Sequence, residues 1–204
     1  MKWQLNNIKF PIYNLGKGKR IGIWVQGCTL HCKNCINKTM WNPNQGKSIR
    51  VIDIANFIIK ISKNYDGITI TGGEPFQQYE QLILFLHLIK STTKLNIQCF
   101  TGYELNELNN LFPDKLFYKY VDIIVTGRYI EDKNENETFR GSSNQQIYFF
   151  QDGKINKFIP DKNKKVSLNI DKNSDIHMAM IPGKQIINKI ENQLNKFNFK
   201  KVFK

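Results

Sequence analysis

No hydrophobic run in the 204-residue chain approaches the ~18 apolar residues expected of a membrane span. The opening stretch MKWQLNNIKF also lacks the apolar core of a secretory leader. A cytoplasmic protein is therefore expected. Cysteine is scarce, with four in all, and three of them (Cys28, Cys32, Cys35) fall within eight residues. Bridges between residues this close would constrain little of the unfolded chain, so a disulfide framework is excluded. Acid is missing from residues 1–50, which hold nine Lys and Arg. Internal repeats, long low-complexity tracts and a basic-aromatic stripe are also missing, and this argues against nucleic acid as the partner.

What is present suits one globular domain with an appended element: 41% hydrophobic and 12% aromatic residues, and a net charge of +13. The charge is uneven. Residues 51–150 hold nine basic residues against twelve acidic, and residues 151–204 hold twelve against five. A basic surplus can dock an acidic partner, or it can simply keep a lysine-rich surface solvated.

Along the chain, RIGIWVQG (20–27) alternates as a strand and runs straight into the cysteines. Ser48 is placed to cap a helix through about Lys63, with Val51, Ala55, Ile58 and Ile59 on its apolar face. GITIT (67–71) reads as a buried strand ending in GGEP. A helix is expected over 77–91, with Leu82, Phe85, Leu86 and Ile89 inward. LNIQCF (95–100), VDIIVTG (121–127) and QQIYFF (145–150) read as further strands, and a helix over Glu104–Phe112 stops at Pro113. Alternating strands and helices predict parallel βα units. Parallel strands carry ligand sites at their C-terminal ends, so the cysteine loop, GGEP, TGY (101–103) and TGR (126–128) should converge on one rim. Beyond Phe150, a turn at Asp152-Gly153, strands at 165–170 and 176–180 and a helix at about 184–197 are expected. We divide the chain into a core, 1–150, and an extension packed on it, 151–204.

Cys-x3-Cys-x2-Cys offers three soft thiolates. A structural zinc site wants four closed ligands, and His31, adjoining Cys32, would be a cramped fourth. A redox pair would leave one cysteine unexplained. A 4Fe–4S cluster can be held by three thiolates with one iron open to a substrate. Cys99, inside a strand, reads as a small buried hydrophobe. His87 and His177 read as having no catalytic role.

The cysteine spacing after a first strand, with GGEP about 40 residues later at the end of the next strand, resembles the radical S-adenosylmethionine (SAM) superfamily. GKGKRIGIWVQGCTLHCKNCINKTMW, CFTGYELNEL, VDIIVTGRYIED and FRGSSNQQIY are similar, in order and spacing, to anaerobic ribonucleotide reductase activating proteins. Asn34 stands where many superfamily members have an aromatic, and Thr126 where the activases often have Asp. The resemblance implies an incomplete parallel βα barrel with a C-terminal β-hairpin and helix. It implies a 4Fe–4S cluster on Cys28, Cys32 and Cys35, with SAM chelating the open iron. SAM contacts are then expected from Asn34, Gly72, Gly73, Glu74, Pro75, Thr101 and Tyr103, and ribose, carboxylate or partner contacts from Arg128, Ser142, Ser143 and Asn144. Glu74 is expected to anchor hydrogen bonds rather than act as a general acid. Reductive cleavage of SAM would give a 5′-deoxyadenosyl radical that takes hydrogen from a glycine of a partner enzyme, with a flavodoxin-type electron donor. Other expectations left open are a radical SAM enzyme acting on a small molecule or peptide, and a non-catalytic iron–sulfur or zinc docking protein.

Overall fold

The computed structural model describes residues 1–135, 137–151, 154–159, 166–170, 176–180 and 192. In chain order the strands are β1 (Lys2–Ile12), β2 (Arg20–Val25), β3 (Lys47–Arg50), β4 (Gly67–Gly72), β5 (Asn96–Phe100), β6 (Ile123–Thr126), β7 (Gln146–Gln151), β8 (Lys154–Phe158), β9 (Val166–Ile170) and β10 (Ile176–Met180). The helices are α1 (Val51–Ile61), α2 (Tyr79–Thr92), α3 (Leu105–Leu111) and α4 (Phe117–Tyr120). The architecture is mixed α/β. Eight strands form one sheet in the order β3-β1-β2-β4-β5-β6-β7-β8, which does not close, and β9 and β10 pair antiparallel apart from it.

β2, β4, β5 and β6 are parallel, as the alternation of strands and helices predicts. The sheet is not parallel throughout, which corrects that expectation at both flanks. β7 returns antiparallel to β6, and β8 antiparallel to β7. Among its described residues the connection from β6 to β7 contains only a 3-10 turn at Glu131–Lys133, without the crossover helix that usually accompanies a parallel return. On the other side β1, not foreseen from the sequence, pairs antiparallel with β2 and with β3. Ser48 lies in β3, and Arg50 occupies the N-cap of α1. β8 also carries the sheet past residue 150.

Period-2 alternation builds the core. Ile21, Ile23 and Val25 of β2, Ile68 and Ile70 of β4, and Ile97 and Cys99 of β5 are fully buried with α1 and α2. α2 turns Leu82, Phe85, Leu86 and Ile89 inward, the face that its i, i+3, i+4, i+7 spacing specifies. α1 buries Val51, Ile54, Ala55 and Ile58. Each such side chain contributes roughly 1.5–3 kcal/mol on burial. Trp24 and Phe100 instead pack with Ile12 and Leu15 in a second, smaller cluster. At the N-terminal end of the parallel strands the buried Arg20 guanidinium donates to Thr69 Oγ1 (2.7 Å), Asn96 Oδ1 (3.1 Å) and the Lys17 and Ile68 carbonyls. These bonds lock the β1–β2 connection to the starts of β4 and β5. No helix among the described residues is long and apolar enough to cross a membrane. The helix expected at about 184–197 and the turn at Asp152-Gly153 lie outside the described residues.

Candidate functional site

Because β2, β4, β5 and β6 run the same way, their C-terminal ends share one edge. Val25 pairs with Gly72, Ile70 with Cys99, and Phe100 with Val125. The four loops expected to converge do leave that edge together. The cysteine loop is closed at its base by backbone bonds from Gly27 N to Met40 O (2.8 Å) and Cys28 N to Trp41 O (3.0 Å). The GGEP turn docks beneath it, with Gly73 N donating to Val25 O (2.8 Å) and Glu74 N to Gly27 O (2.8 Å). Gly72 has φ +105°, and a Cβ there would lie 2.8 Å from the Val25 backbone. A Cβ on Gly73 would overlap the Gly27 carbonyl. The two glycines thus let the GGEP turn press against the backbone that leads into the cysteines.

Within the loop, His31 (φ +46°) and Asn34 (φ +62°) turn the chain, and Cys35 N donates to Cys32 O (3.1 Å). All three thiols are partly exposed. Burial raises the Cys28 pKa, and the Leu30 and His31 amides aimed at the sulfur pull part of it back. Burial likewise raises Cys32, opposed first by the Tyr129 amide. The Asn37 amide donates to Cys35 Sγ at 3.4 Å. Amides aimed at sulfur are how a protein stabilises and tunes a thiolate-bound cluster. Among the described residues no three His, Cys, Asp or Glu side chains are placed to hold a single metal ion. Three thiolates on one loop suit a cluster, in which each takes its own iron, and fall one short of the four ligands of a structural zinc site. The His31 ring lies against Trp41, with centroids 4.6 Å apart. Cys99 is fully buried, and burial pushes its thiol well up.

The other expected residues divide into those held internally and those left facing the rim. Glu74 is 1% exposed, and its carboxylate accepts from Phe76 N (3.0 Å), Thr101 Oγ1 (2.8 Å) and Gly102 N (2.7 Å). It braces the β4 and β5 loops together and occupies Thr101 in doing so. Burial raises its pKa to about 7, against the pull of those donors. Pro75 is buried at the start of the 3-10 turn Pro75–Gln78. Tyr103 lines a cleft of about 420 Å³ beside Cys28 and accepts from Gln77 Nε2 (3.1 Å). Arg128 pairs with Glu107 (3.1 Å). Asn34 donates to Glu131 Oε2 (2.5 Å). Ser142 Oγ accepts from Ile130 N (3.1 Å), and Ser143 N donates to Lys133 O (2.7 Å). Asn144 donates to Arg128 O (2.9 Å), while its buried Oδ1 has no partner. An orphaned acceptor on this rim suits a ligand bearing hydroxyl or ammonium donors, as SAM does.

Sequence reasoning missed the glutamines. Gln77 accepts from Thr29 N (3.0 Å) and donates to Thr29 Oγ1 (2.6 Å), linking GGEP to the residue after Cys28. Gln26, 1% exposed, donates to Asn42 O (2.8 Å) and joins the two ends of the cysteine loop. Gln145 accepts from Gly141 N (2.7 Å) and donates to Gly127 O (2.7 Å), setting RGSSN against TGR. Adjacency to GGEP and RGSSN is the one signal in the sequence that could have pointed to them.

Fold and site together define an α/β protein of the iron–sulfur cluster class. The family described as a 4Fe-4S single cluster domain matches residues 14–148. The chain is similar to the anaerobic ribonucleoside-triphosphate reductase-activating protein of Enterobacteria phage T4, 30% identical over 142 residues that cover 68% of this chain and 88% of the relative. The protein of that name from Pasteurella multocida is 32% identical over 146 residues, covering 66% and 90%. A looser likeness is to the crystal structure of QueE from Escherichia coli, with TM-score 0.40 and 20% identity, covering 50% of this chain and 53% of that one. The chain belongs to the family of anaerobic ribonucleoside-triphosphate reductase-activating proteins, and is thereby an enzyme of the activase kind.

Proposed function

We propose that Cys28, Cys32 and Cys35 hold a 4Fe–4S cluster, and that the protein uses it to cleave SAM and install a glycyl radical on an anaerobic ribonucleotide reductase. One observation carries this reading: the three-cysteine loop and the Gly72–Gly73 turn leave adjacent parallel strands and are hydrogen-bonded to each other at one rim. A cluster held by these three cysteines, once reduced by an external one-electron donor, would supply the electron that splits SAM into methionine and a 5′-deoxyadenosyl radical.

The chain's own residues bind, orient and shield. Gly72 and Gly73 let the turn lie flush against the backbone that leads into the cysteines, and the Gly72 carbonyl, already 3.3 Å from Asn37 Nδ2, has a second lone pair for an ammonium donor. Asn144 offers its free Oδ1 to a ribose hydroxyl. Glu74 and Thr101 hold the two loops at a fixed spacing, and Tyr103 and Arg128 border the rim, with Ser143 behind it. Asn34 and Pro75 shape the turns that carry the cysteines and the glycines. We read the open sheet as the incomplete βα barrel of this class. The acid-free N-terminal fifty residues give an acidic, flavodoxin-type donor a surface to meet. A cytoplasmic setting follows from the reducing conditions that such thiols need.

The test is an anaerobic incubation of cluster-loaded protein with SAM and a strong reductant, with and without the reductase. Formation of 5′-deoxyadenosine, and a glycyl radical signal only when the reductase is present, is the expected result. No 5′-deoxyadenosine under any condition overturns SAM cleavage. Turnover without a glycyl radical moves the activity to another substrate.

A further inference from the structure

The segment that follows β6 does more than lead to the next strand. Residues 128–134 cross back to the cysteine loop and meet it twice. The Tyr129 amide faces the Cys32 sulfur, and Glu131 Oε2 accepts from Asn34 Nδ2 at 2.5 Å, across 97 residues of sequence. Asn34 lies inside the Cys32–Cys35 turn at φ +62°, a left-handed state that asparagine accepts more readily than other residues with a side chain and that sets the direction of the turn. The segment is itself fixed from behind. Ile130 N donates to Ser142 Oγ (3.1 Å), Lys133 O accepts from Ser143 N (2.7 Å), and Arg128 O accepts from Asn144 Nδ2 (2.9 Å). Load therefore passes from RGSSN, through the segment, to the turn that carries Cys32 and Cys35.

We propose that Glu131 is a positioning residue for the cluster: through Asn34 it holds the Cys32–Cys35 turn in the geometry that presents both thiolates, and the serines of RGSSN act on the cluster by fixing Glu131. This rests on the proposed cluster ligation by the three cysteines. It assigns Asn34 a different duty from the SAM contact that the resemblance implies. It also separates two effects of one carboxylate. The hydrogen bond secures the turn, while the negative charge near the cluster disfavours adding an electron.

The test uses anaerobically reconstituted full chain as wild type, Glu131→Ala, Glu131→Gln, Asn34→Ala and the Ala–Ala double variant. Iron and sulfide content, the rate of iron loss to a ferrous chelator, the cluster midpoint potential and KM for SAM are measured. A net hydrogen bond sets the scale, so Glu131→Ala and Asn34→Ala should each lose iron about two- to tenfold faster than wild type. The double variant should be no faster than either single one. Glu131→Gln, whose amide oxygen still accepts, should keep the wild-type rate yet share with Glu131→Ala a shift to less negative potential. Wild-type iron loss in Glu131→Ala overturns the proposal. So does a raised KM for SAM in Asn34→Ala that Glu131→Ala does not share. Wild-type protein that takes up no iron and sulfide overturns the cluster reading itself, a result distinct from both.

Discussion

Glu74 is a buried carboxylate whose pKa lies near neutrality, and it should leave a pH signature on stability. Its folded pKa is about 7 against an ordinary 4.5, because burial penalises the anion more than the Gly102, Phe76 and Thr101 donors reward it. The folded state therefore holds a proton that the unfolded state has released. Its stabilising contribution is full below pH 4.5 and is lost as pH rises through about 7. The gap is worth about 3 kcal/mol, entering at about 1.4 kcal/mol per pH unit near pH 6. Glu74→Gln removes the titration. Its amide oxygen can serve Phe76 N and Thr101 Oγ1, but its NH2 then faces Gly102 N–H, leaving a buried donor without a partner at a cost of about 1–3 kcal/mol. The variant should be less stable than wild type at pH 5, and the difference should close or reverse by pH 8. Urea unfolding of cluster-free protein, kept reduced and followed by tryptophan fluorescence, measures both curves. A difference that stays flat from pH 4.5 to 8 refutes the claim that burial governs this carboxylate.

Two further substitutions probe the rim. Gly73→Ala puts a methyl into the Gly27 carbonyl, backbone against backbone, and should cost at least about 1–3 kcal/mol and sharply reduce iron uptake; melting and iron assay of the variant check it. Gln77→Ala strips Thr29 N and Tyr103 OH of their partner and should raise KM for SAM several-fold with a small loss of stability, about 1 kcal/mol, read from steady-state kinetics and urea unfolding.

Short-range patterns carried much of this protein. The alternation in β2, β4 and β5, the apolar stripe of α2 and the strand-loop-helix order were legible because period 2 and period 3.6 are written in adjacent residues. The cysteine spacing and GGEP placed the site at the strand ends for the same reason. Pairing direction is not local. QIYFFQ reads as a strand whether it runs up or down, and it took the helix-free connection after β6 to turn it antiparallel. β1 escaped notice because its eleven residues are only partly buried, and its inward residues (Trp3, Leu5 and Ile12) are widely or irregularly spaced.

The side-chain duties at the rim were still less legible. Sequence alone determined that three thiols and a glycine pair stand at one edge of a parallel sheet, since both follow strands that a βα order makes neighbours. Only the tertiary structure decided that Glu74 spends its carboxylate on Thr101 and Gly102, that glutamines tie the cysteine loop down, and that Glu131 reaches Asn34. These are hydrogen bonds between residues as much as 97 positions apart, and no local period encodes which polar side chain meets which across a folded edge.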